Sequence, residues 1–133
     1  MSLDFYIYVP EKRSYYRAGG KTLPMAEYDD CFTRHHVGNI THNLGEMARH
    51  VPVSDTLTLY NVLWRPEESD LTTTDDIADL VAEGVRYMIS HKDDLVKYNP
   101  DNGWGDYDGL LEFAKKVGNA CLFNQSCRIE ADR

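Results

Sequence analysis

Three polar residues in the segment NITHNLGEMARHV have types and spacing that could bind a metal ion. His42, Glu46 and His50 fall four residues apart, so in a helix their side chains would share one face. Two imidazoles and a carboxylate suit Zn²⁺, which could activate a water molecule for hydrolysis. The same face also carries Arg49, which favours a solvated polar face. A metal-dependent hydrolase is therefore kept as an alternative, and no metal or other cofactor is expected.

The segment NPDNGWGDYDGL places Trp104 between Gly103 and Gly105. The glycines let the backbone turn the indole inward, as a plug of the core, or outward, as a recognition element. An outward ring would stack on a flat ligand while the Asn99 and Asn102 amides read its edge, each stack contributing about 1–3 kcal/mol. An inward ring would cover the joint between two helices, and the same amides would bond the loop's own backbone. The plug is the favoured interpretation.

The segment LWRPEE supplies a second tryptophan, Trp64, followed by Arg65. A guanidinium can donate a fork of hydrogen bonds to a carboxylate or a phosphate. Glu67 and Glu68 follow closely, so pairing of Arg65 with one of them is the default expectation.

Sequence signatures of catalysis are missing from the chain. It contains no GxSxG elbow, no GxxxxGK[ST] or GxGxxG phosphate loop and no HExxH motif. His35 and His36 are neighbours in a segment with strand character, so their side chains would point to opposite faces. No charge pattern around Cys121 or Cys127 would clearly lower a thiol pKa. These observations make an enzyme less expected than a binding protein.

The composition indicates one acidic globular domain spanning residues 1–133. The net charge is −8, from 22 acidic and 14 basic residues, which disfavours nucleic acid and anionic membranes as partners but allows a local basic pocket for a small anion. The 3 cysteines form no CxxC pair and cannot all pair with one another, which favours a reducing compartment. No segment resembles a signal peptide or a membrane helix. We expect a cytoplasmic protein.

The strands expected from the sequence lie mainly at the two ends of the chain. Alternating apolar residues predict a first strand from Leu3 to Val9, stopped by Pro10. Weaker patterns suggest two further strands. One would start at Tyr15 and Tyr16, before the Gly19-Gly20 turn, and the other would span residues 31–37. Cys127, Ile129 and Ala131 alternate with polar residues, which predicts a terminal strand able to pair with the first one.

Helices are expected between these strands. Asn39 is predicted to cap a helix that ends before Pro52. Asp55 is predicted to cap a second helix that reaches residue 64, although the residues of this second segment would suit a strand equally well. The threonines and acidic residues of TTTDD predict a helix that ends near His91. Short helical turns are expected in DDLVKY, and Asp106 is predicted to cap the last helix. The expected fold class is α+β, with three to four helices packed on one face of a small mixed β-sheet that includes the N- and C-terminal strands.

Three segments together carry a resemblance to a known family. NITHNLGEMA, LWRPEE and NPDNGWGDYDGLLEF, in that order and ahead of a short terminal strand, resemble a family of small uncharacterised proteins found in phage genomes and in bacteria. The motifs cover about a quarter of the chain. The resemblance implies a shared fold but brings no established activity, cofactor or catalytic residue. The chain departs from the family pattern in a longer region before NITHNL and in extra residues between Val51 and Leu57.

The resemblance also suggests that residues of the three motifs form one polar and aromatic cluster. Its members are Asn39, Thr41, His42, Asn43, Trp64, Arg65, Asn99, Asn102 and Trp104. Such a set offers many hydrogen-bonding groups and flat surfaces without an obvious activated nucleophile, which is typical of a binding pocket.

These features predict a non-enzymatic, phage-associated accessory protein that binds a small polar ligand. One concrete form is a sponge that sequesters a nucleotide immune signal. Two alternatives stay open. The first is an inhibitor that binds a host protein through its acidic surface, and the second is the metal-dependent hydrolase built on His42, Glu46 and His50. The oligomeric state is left open.

Overall fold

A computed structural model of the chain describes residues 1–10, 16–18, 21–23 and 32–133. Five strands lie in these residues: β1 (Ser2–Pro10), β2 (Tyr16–Ala18), β3 (Lys21–Leu23), β4 (Phe32–Thr41) and β5 (Arg128–Asp132). The α-helices of the same residues are α1 (Gly45–Arg49), α2 (Leu59–Leu63), α3 (Thr74–Ser90), α4 (Lys92–Leu95) and α5 (Tyr107–Phe123). Single 3₁₀ turns occupy His42–Leu44, Pro66–Ser69 and Val96–Tyr98.

The main sheet has the strand order β4-β1-β5, and both pairings are antiparallel. The alternation of the first strand is confirmed, because Leu3, Phe5 and Ile7 are buried while the residues between them are partly exposed. The pairing of the terminal strand with the first one is confirmed as well. The predicted α+β class is thus correct, with the refinement that this three-stranded sheet is purely antiparallel rather than mixed.

The strands expected after β1 are only partly as predicted. β2 and β3 pair with each other in a separate two-stranded sheet, so Tyr16 does not begin a partner for β1. The partner is β4, which extends four residues beyond the predicted end at Val37. Two predicted starting points, Tyr15 and Cys31, lie outside the described residues.

The two long helices begin where their capping residues predict. Asp106 precedes α5, and its Oδ1 accepts a hydrogen bond of 2.8 Å from the Gly109 amide. Thr73 precedes α3, and the Asp76 carboxylate accepts from the Thr73 amide at 3.0 Å. A short polar side chain can satisfy first-turn amides that have no partner inside the helix. The predicted end of α3 near His91 is also confirmed.

The predicted cap at Asn39 is wrong. Asn39 lies within β4 opposite Asp4, and its Nδ2 donates to Ser2 Oγ at 2.8 Å and to Asp4 Oδ1 at 2.9 Å. Pairing with the start of β1 continues to Thr41, whose Oγ1 accepts from the Asn43 amide at 3.3 Å. The cross-strand hydrogen bonds therefore outweigh the tendency of Asn39 to cap a helix, and the helical segment begins with the 3₁₀ turn at His42.

The helix predicted to begin near Asp55 begins further along the chain than expected. α2 begins at Leu59, and Asn61 Oδ1 accepts from the Thr58 amide at 2.8 Å. A β-bridge between Pro52 and Thr58 keeps the intervening residues in a turn. The favoured helical interpretation is thus confirmed for residues 59–63, with a different cap.

The apolar faces of the helices and one face of the main sheet meet in a common core. The largest fully buried side chains include Trp64, Phe5, Leu44, Met47 and Leu110. Each such burial contributes on the order of 1.5–3 kcal/mol. Among the described residues, no helix combines the length and apolarity needed to cross a bilayer.

Candidate functional site

Two open pockets adjoin one another where β4 leads into the 3₁₀ turn and α1. The first, here named the indole groove, has a volume of about 680 Å³ and is lined by Met1, Ser2, Asn39, Thr41, His42, Asn43, Asn102 and Trp104. The second, named the arginine pocket, has a volume of about 380 Å³ and is lined by His42, Asn43, Gly45, Glu46, Arg49, Tyr60, Trp64, Arg65 and Arg133. His42 and Asn43 belong to both linings, so they form the ridge between the pockets. The volumes lie in the range of small-molecule sites.

The loop before α5 packs directly on the end of β4 and so builds one wall of the indole groove. Gly105 has a φ of +99°, and a Cβ placed on it would lie 2.8 Å from Thr41 Cγ2 and 3.0 Å from Leu44 Cδ1. Real Cβ atoms essentially never come this close to another carbon, so only a glycine permits the approach. The contact joins the motif NPDNGWGDYDGLLEF to the motif NITHNLGEMA, which is distant from it in the sequence.

Trp104 lies on this wall with 70% of its surface exposed. The favoured interpretation of the ring as a core plug is therefore wrong. The buried indole of the protein is Trp64, which is 2% exposed. Near the loop, it is Tyr107 that enters the core, and its hydroxyl donates to the Met88 carbonyl at 2.5 Å. The loop thus contributes Tyr107 to the core, while the indole of Trp104 lies at the surface.

The loop asparagines hold the backbone in the way that the sequence suggests. Asn102 Oδ1 accepts from the Trp104 amide at 2.9 Å, and Asn99 Oδ1 accepts from the Tyr107 amide at 2.8 Å. Such Asx contacts stabilise a turn locally. Asn102 also lines the indole groove, whereas Asn99 lines neither pocket. Asn99 is thus a residue that shapes the loop rather than part of the lining.

His42 is tied to the buried tryptophan. Trp64 Nε1 donates to His42 Nδ1 at 3.0 Å, which satisfies the polar atom of a buried indole and fixes the imidazole at the ridge. His50 instead contacts Glu46 Oε1 at 3.2 Å and stacks on Tyr98 with ring centroids 4.0 Å apart.

The metal site considered for His42, Glu46 and His50 does not form in this geometry. Within residues 1–10, 16–18, 21–23 and 32–133, no group of three or more His, Cys, Asp or Glu side chains is placed to hold a metal ion. The helix that would align the three residues starts only at Gly45, so His42 precedes it. The geometry therefore gives the hydrolase alternative no support.

The arginine pocket has a stacked aromatic floor. The Tyr60 and Trp64 rings lie 5.5 Å apart with an interplanar angle of 14°, and the Arg49 guanidinium lies 4.1 Å from the Tyr60 centroid. Arg65 Nε donates to the Tyr60 hydroxyl at 3.4 Å. Arg65 and, to a smaller extent, Arg49 hold the pKa of the Tyr60 phenol below its usual value, although burial acts in the opposite direction. The two neighbouring guanidiniums lower the pKa because they stabilise the phenolate relative to a phenol in water.

The expected pairing of Arg65 with a nearby glutamate is confirmed, and the partner is Glu68, at 2.9 Å from Nη1. Arg133 makes a comparable pair with Glu67 at 2.6 Å and also donates to the Trp64 carbonyl. Both guanidiniums are thereby held at the rim of the pocket.

The structure divides the expected cluster between the two pockets. Asn39, Thr41, Asn102 and Trp104 line the indole groove, Trp64 and Arg65 line the arginine pocket, and His42 and Asn43 line both. The expected cluster did not include the other lining residues: Met1, Ser2, Gly45, Glu46, Arg49, Tyr60 and Arg133. Of these, the sequence interpretation considered Glu46 only as a metal ligand. Arg49 was visible only as part of a polar face, and no local pattern singles out Arg133.

Comparisons of the chain with protein-family models, with curated proteins and with solved structures found no match.

Proposed function

We propose that this chain is a non-enzymatic binding protein whose ligand is a small polar molecule with a flat ring. The observation that carries the proposal is the exposed indole of Trp104 on the wall of a groove. An exposed indole provides a flat surface on which a planar ligand stacks, at about 1–3 kcal/mol per stack. The loop packs closely on Thr41 and Leu44 at Gly105, and a surface that is positioned before the ligand arrives lowers the entropic cost of binding.

Amide groups around the ring supply hydrogen-bonding partners for the edge of such a ligand. Asn39, Asn43 and Asn102 line the groove with the ring. Asn39 Nδ2 already donates to Ser2 and Asp4, and Asn102 Oδ1 already accepts from the Trp104 amide, which leaves the Asn39 oxygen and the Asn102 Nδ2 for a ligand. Asn43 makes no side-chain hydrogen bond to any described residue. Its amide can therefore bond a ligand without first breaking a contact inside the protein, and each bond of this kind contributes about 0.5–1.5 kcal/mol.

The two cysteine thiols among the described residues support binding rather than catalysis. Burial raises the pKa of the Cys121 thiol to about 12, and burial also raises that of Cys127. Thiolate is the reactive form, so both side chains are poor nucleophiles. The Nδ1 atom of His42 is already engaged by Trp64.

The specific form of the proposal is a phage-encoded accessory protein that sequesters a nucleotide immune signal in the cytoplasm. A nucleobase matches the flat ring and polar edge that the groove can hold. The phage setting rests on the resemblance of the three motifs, and the cytoplasmic setting rests on the unpaired thiols of Cys121 and Cys127.

Isothermal titration calorimetry against cyclic and linear nucleotides tests the proposal. The wild-type chain is expected to bind at least one of them, and Trp104→Ala is expected to bind it about tenfold more weakly, since 1.4 kcal/mol corresponds to a factor of ten. The matched control is Phe123→Ala, because Phe123 is an aromatic residue that is 86% exposed and lines neither pocket. An absence of heat with every nucleotide would refute the nucleotide form, and equal affinity of Trp104→Ala and wild type would refute the site.

A further inference from the structure

The lining of the arginine pocket contains three arginines on an otherwise acidic protein. Arg49 comes from the end of α1, Arg65 follows α2, and Arg133 follows β5, so three separate parts of the chain bring guanidinium groups to one depression. The one carboxylate in the lining is that of Glu46. Glu67 and Glu68, the carboxylate partners of Arg133 and Arg65, lie outside the lining. The lining therefore carries more guanidinium groups than carboxylates, although the net charge of the chain is −8.

The guanidiniums of Arg65 and Arg49 keep donors that the protein does not use. Arg65 donates through Nε and Nη1, while its Nη2 has no acceptor among the described residues. Arg49 Nη1 is 3.6 Å from Glu46 Oε2, and the guanidinium group lies over the Tyr60 ring. Each guanidinium offers five N–H donors. Solvent-facing donors of this kind match an anion with several acceptor oxygens.

The pocket is also held in shape before any ligand is present. The stacked rings of Tyr60 and Trp64 form its floor, and Arg49 packs on that floor. Glu68 and Glu67 hold Arg65 and Arg133 from outside the lining. An anion would therefore replace water at arginines that are already positioned, which limits the entropic cost of binding.

We propose that the arginine pocket binds a phosphate group. Three guanidiniums fit a tetrahedral oxyanion better than a planar carboxylate, because phosphate presents acceptor oxygens in several directions. The phosphate site stands on the arginine pocket alone. Its extension to a nucleotide rests on the proposed function. The base would stack on Trp104 in the indole groove, the nucleotide would pass over the ridge of His42 and Asn43, and its phosphate would lie in the arginine pocket.

The two tryptophans of the chain allow each pocket to be followed separately. In a ¹⁵N–¹H correlation spectrum, the indole N–H of Trp64 reports on the arginine pocket and that of Trp104 on the indole groove. Titration with inorganic phosphate, against sodium chloride at matched ionic strength, is expected to shift the Trp64 signal and leave the Trp104 signal in place. A titration with acetate is expected to shift the Trp64 signal less at the same concentration. Equal shifts with phosphate and chloride, or with phosphate and acetate, would overturn the phosphate site.

Matched arginine variants provide the second part of the test. Arg65→Gln and Arg49→Gln are each expected to weaken phosphate binding about tenfold, which corresponds to about 1.4 kcal/mol, because each removes a charge-assisted hydrogen bond to the anion. The control is Arg86→Gln, because Arg86 pairs with Glu83 three residues away in the sequence, as Arg65 does with Glu68. The remaining amide signals check that each variant is folded. Unchanged phosphate affinity in both pocket variants would contradict the inference.

A nucleoside and its 5′-monophosphate separate the failure of this inference from that of the proposed function. Tighter binding of the monophosphate, lost in Arg65→Gln, supports both. Equal affinity of the two ligands, with a shifted Trp104 signal, would remove the phosphate extension and leave the proposed function standing. A Trp64 shift with inorganic phosphate, together with no Trp104 shift for either ligand, would support the phosphate site and count against the proposed function.

Discussion

Gly105→Ala is expected to open the contact that builds the wall of the indole groove. The added Cβ would lie 2.8 Å from Thr41 Cγ2 and 3.0 Å from Leu44 Cδ1. Leu44 is buried, so it cannot move aside freely, and the loop that carries Trp104 must shift. Gly103→Ala is the matched control, because Gly103 also has a positive φ, +76°, but has nothing within 4 Å of an added Cβ.

The difference between the two variants isolates the packing of the loop. Both alanines must adopt a positive φ, which costs roughly 1–2 kcal/mol for a residue with a Cβ. Gly105→Ala adds an overpacking cost of about 1–3 kcal/mol. We therefore expect Gly103→Ala to lower the free energy of unfolding by about 1–2 kcal/mol and Gly105→Ala by about 2–5 kcal/mol.

Urea denaturation measures both free energies, and an unchanged slope with denaturant would show that the unfolded reference is the same. In the calorimetric titration, Gly105→Ala should also weaken the binding of a nucleotide recognised by the wild type, whereas Gly103→Ala should affect affinity less. Equal destabilisation by the two substitutions would refute the close packing of Gly105 on the end of β4.

Three further predictions concern the helix cap, a buried thiol and the two indoles. Asp76→Ala should lower the free energy of unfolding by about 1 kcal/mol. The backbone amides of Thr72 and Thr73 lower the pKa of the Asp76 carboxyl from 3.8, so this stabilisation is present above that value and is lost as pH falls through the lower pKa of the folded state. Cys121 should resist iodoacetamide at pH 8 in the native protein, as peptide mass mapping would record, because burial raises its thiol pKa to about 12. Acrylamide should quench the fluorescence of Trp64→Phe more strongly than that of Trp104→Phe. The first variant retains Trp104, which is 70% exposed, and the second retains Trp64, which is 2% exposed.

Each of these predictions has a control. Asp79→Ala removes an exposed carboxylate from the body of α3 and should cost less than Asp76→Ala; an equal cost at every pH would contradict the capping role. Labelling of Cys121 in denaturant should be complete, and equal labelling in the native protein would contradict its burial. Similar quenching of the two tryptophan variants would place both indoles in equivalent surroundings.

Local signals in the sequence predicted the elements that local interactions decide. Asp106 and Thr73 precede their helices, where a short side chain can bond first-turn amides. The two-residue period of β1 and of β5 gave both end strands, because one face of each packs on the core. These features depend on residues close to one another in the chain.

The features that sequence patterns missed are decided by distant partners. Asn39 has the chemistry of a helix cap, but pairing with the start of β1 keeps it in a strand. The glycines around Trp104 permit either direction for the ring, and in the structure the ring is exposed while Tyr107 is buried. Arg133 reaches the Trp64 carbonyl from 69 residues away, a proximity that periodicity and spacing cannot reveal.

Nuclear Overhauser effects between the two walls of the indole groove test the central structural claim most directly. Cross-peaks from the Hα protons of Gly105 to the methyl protons of Thr41 and Leu44 are expected in the ligand-free protein, because an added Cβ would lie within 3.0 Å of carbons in both side chains. Absence of these cross-peaks, with the three residues otherwise assigned, would contradict the groove and remove the basis for a ligand site there.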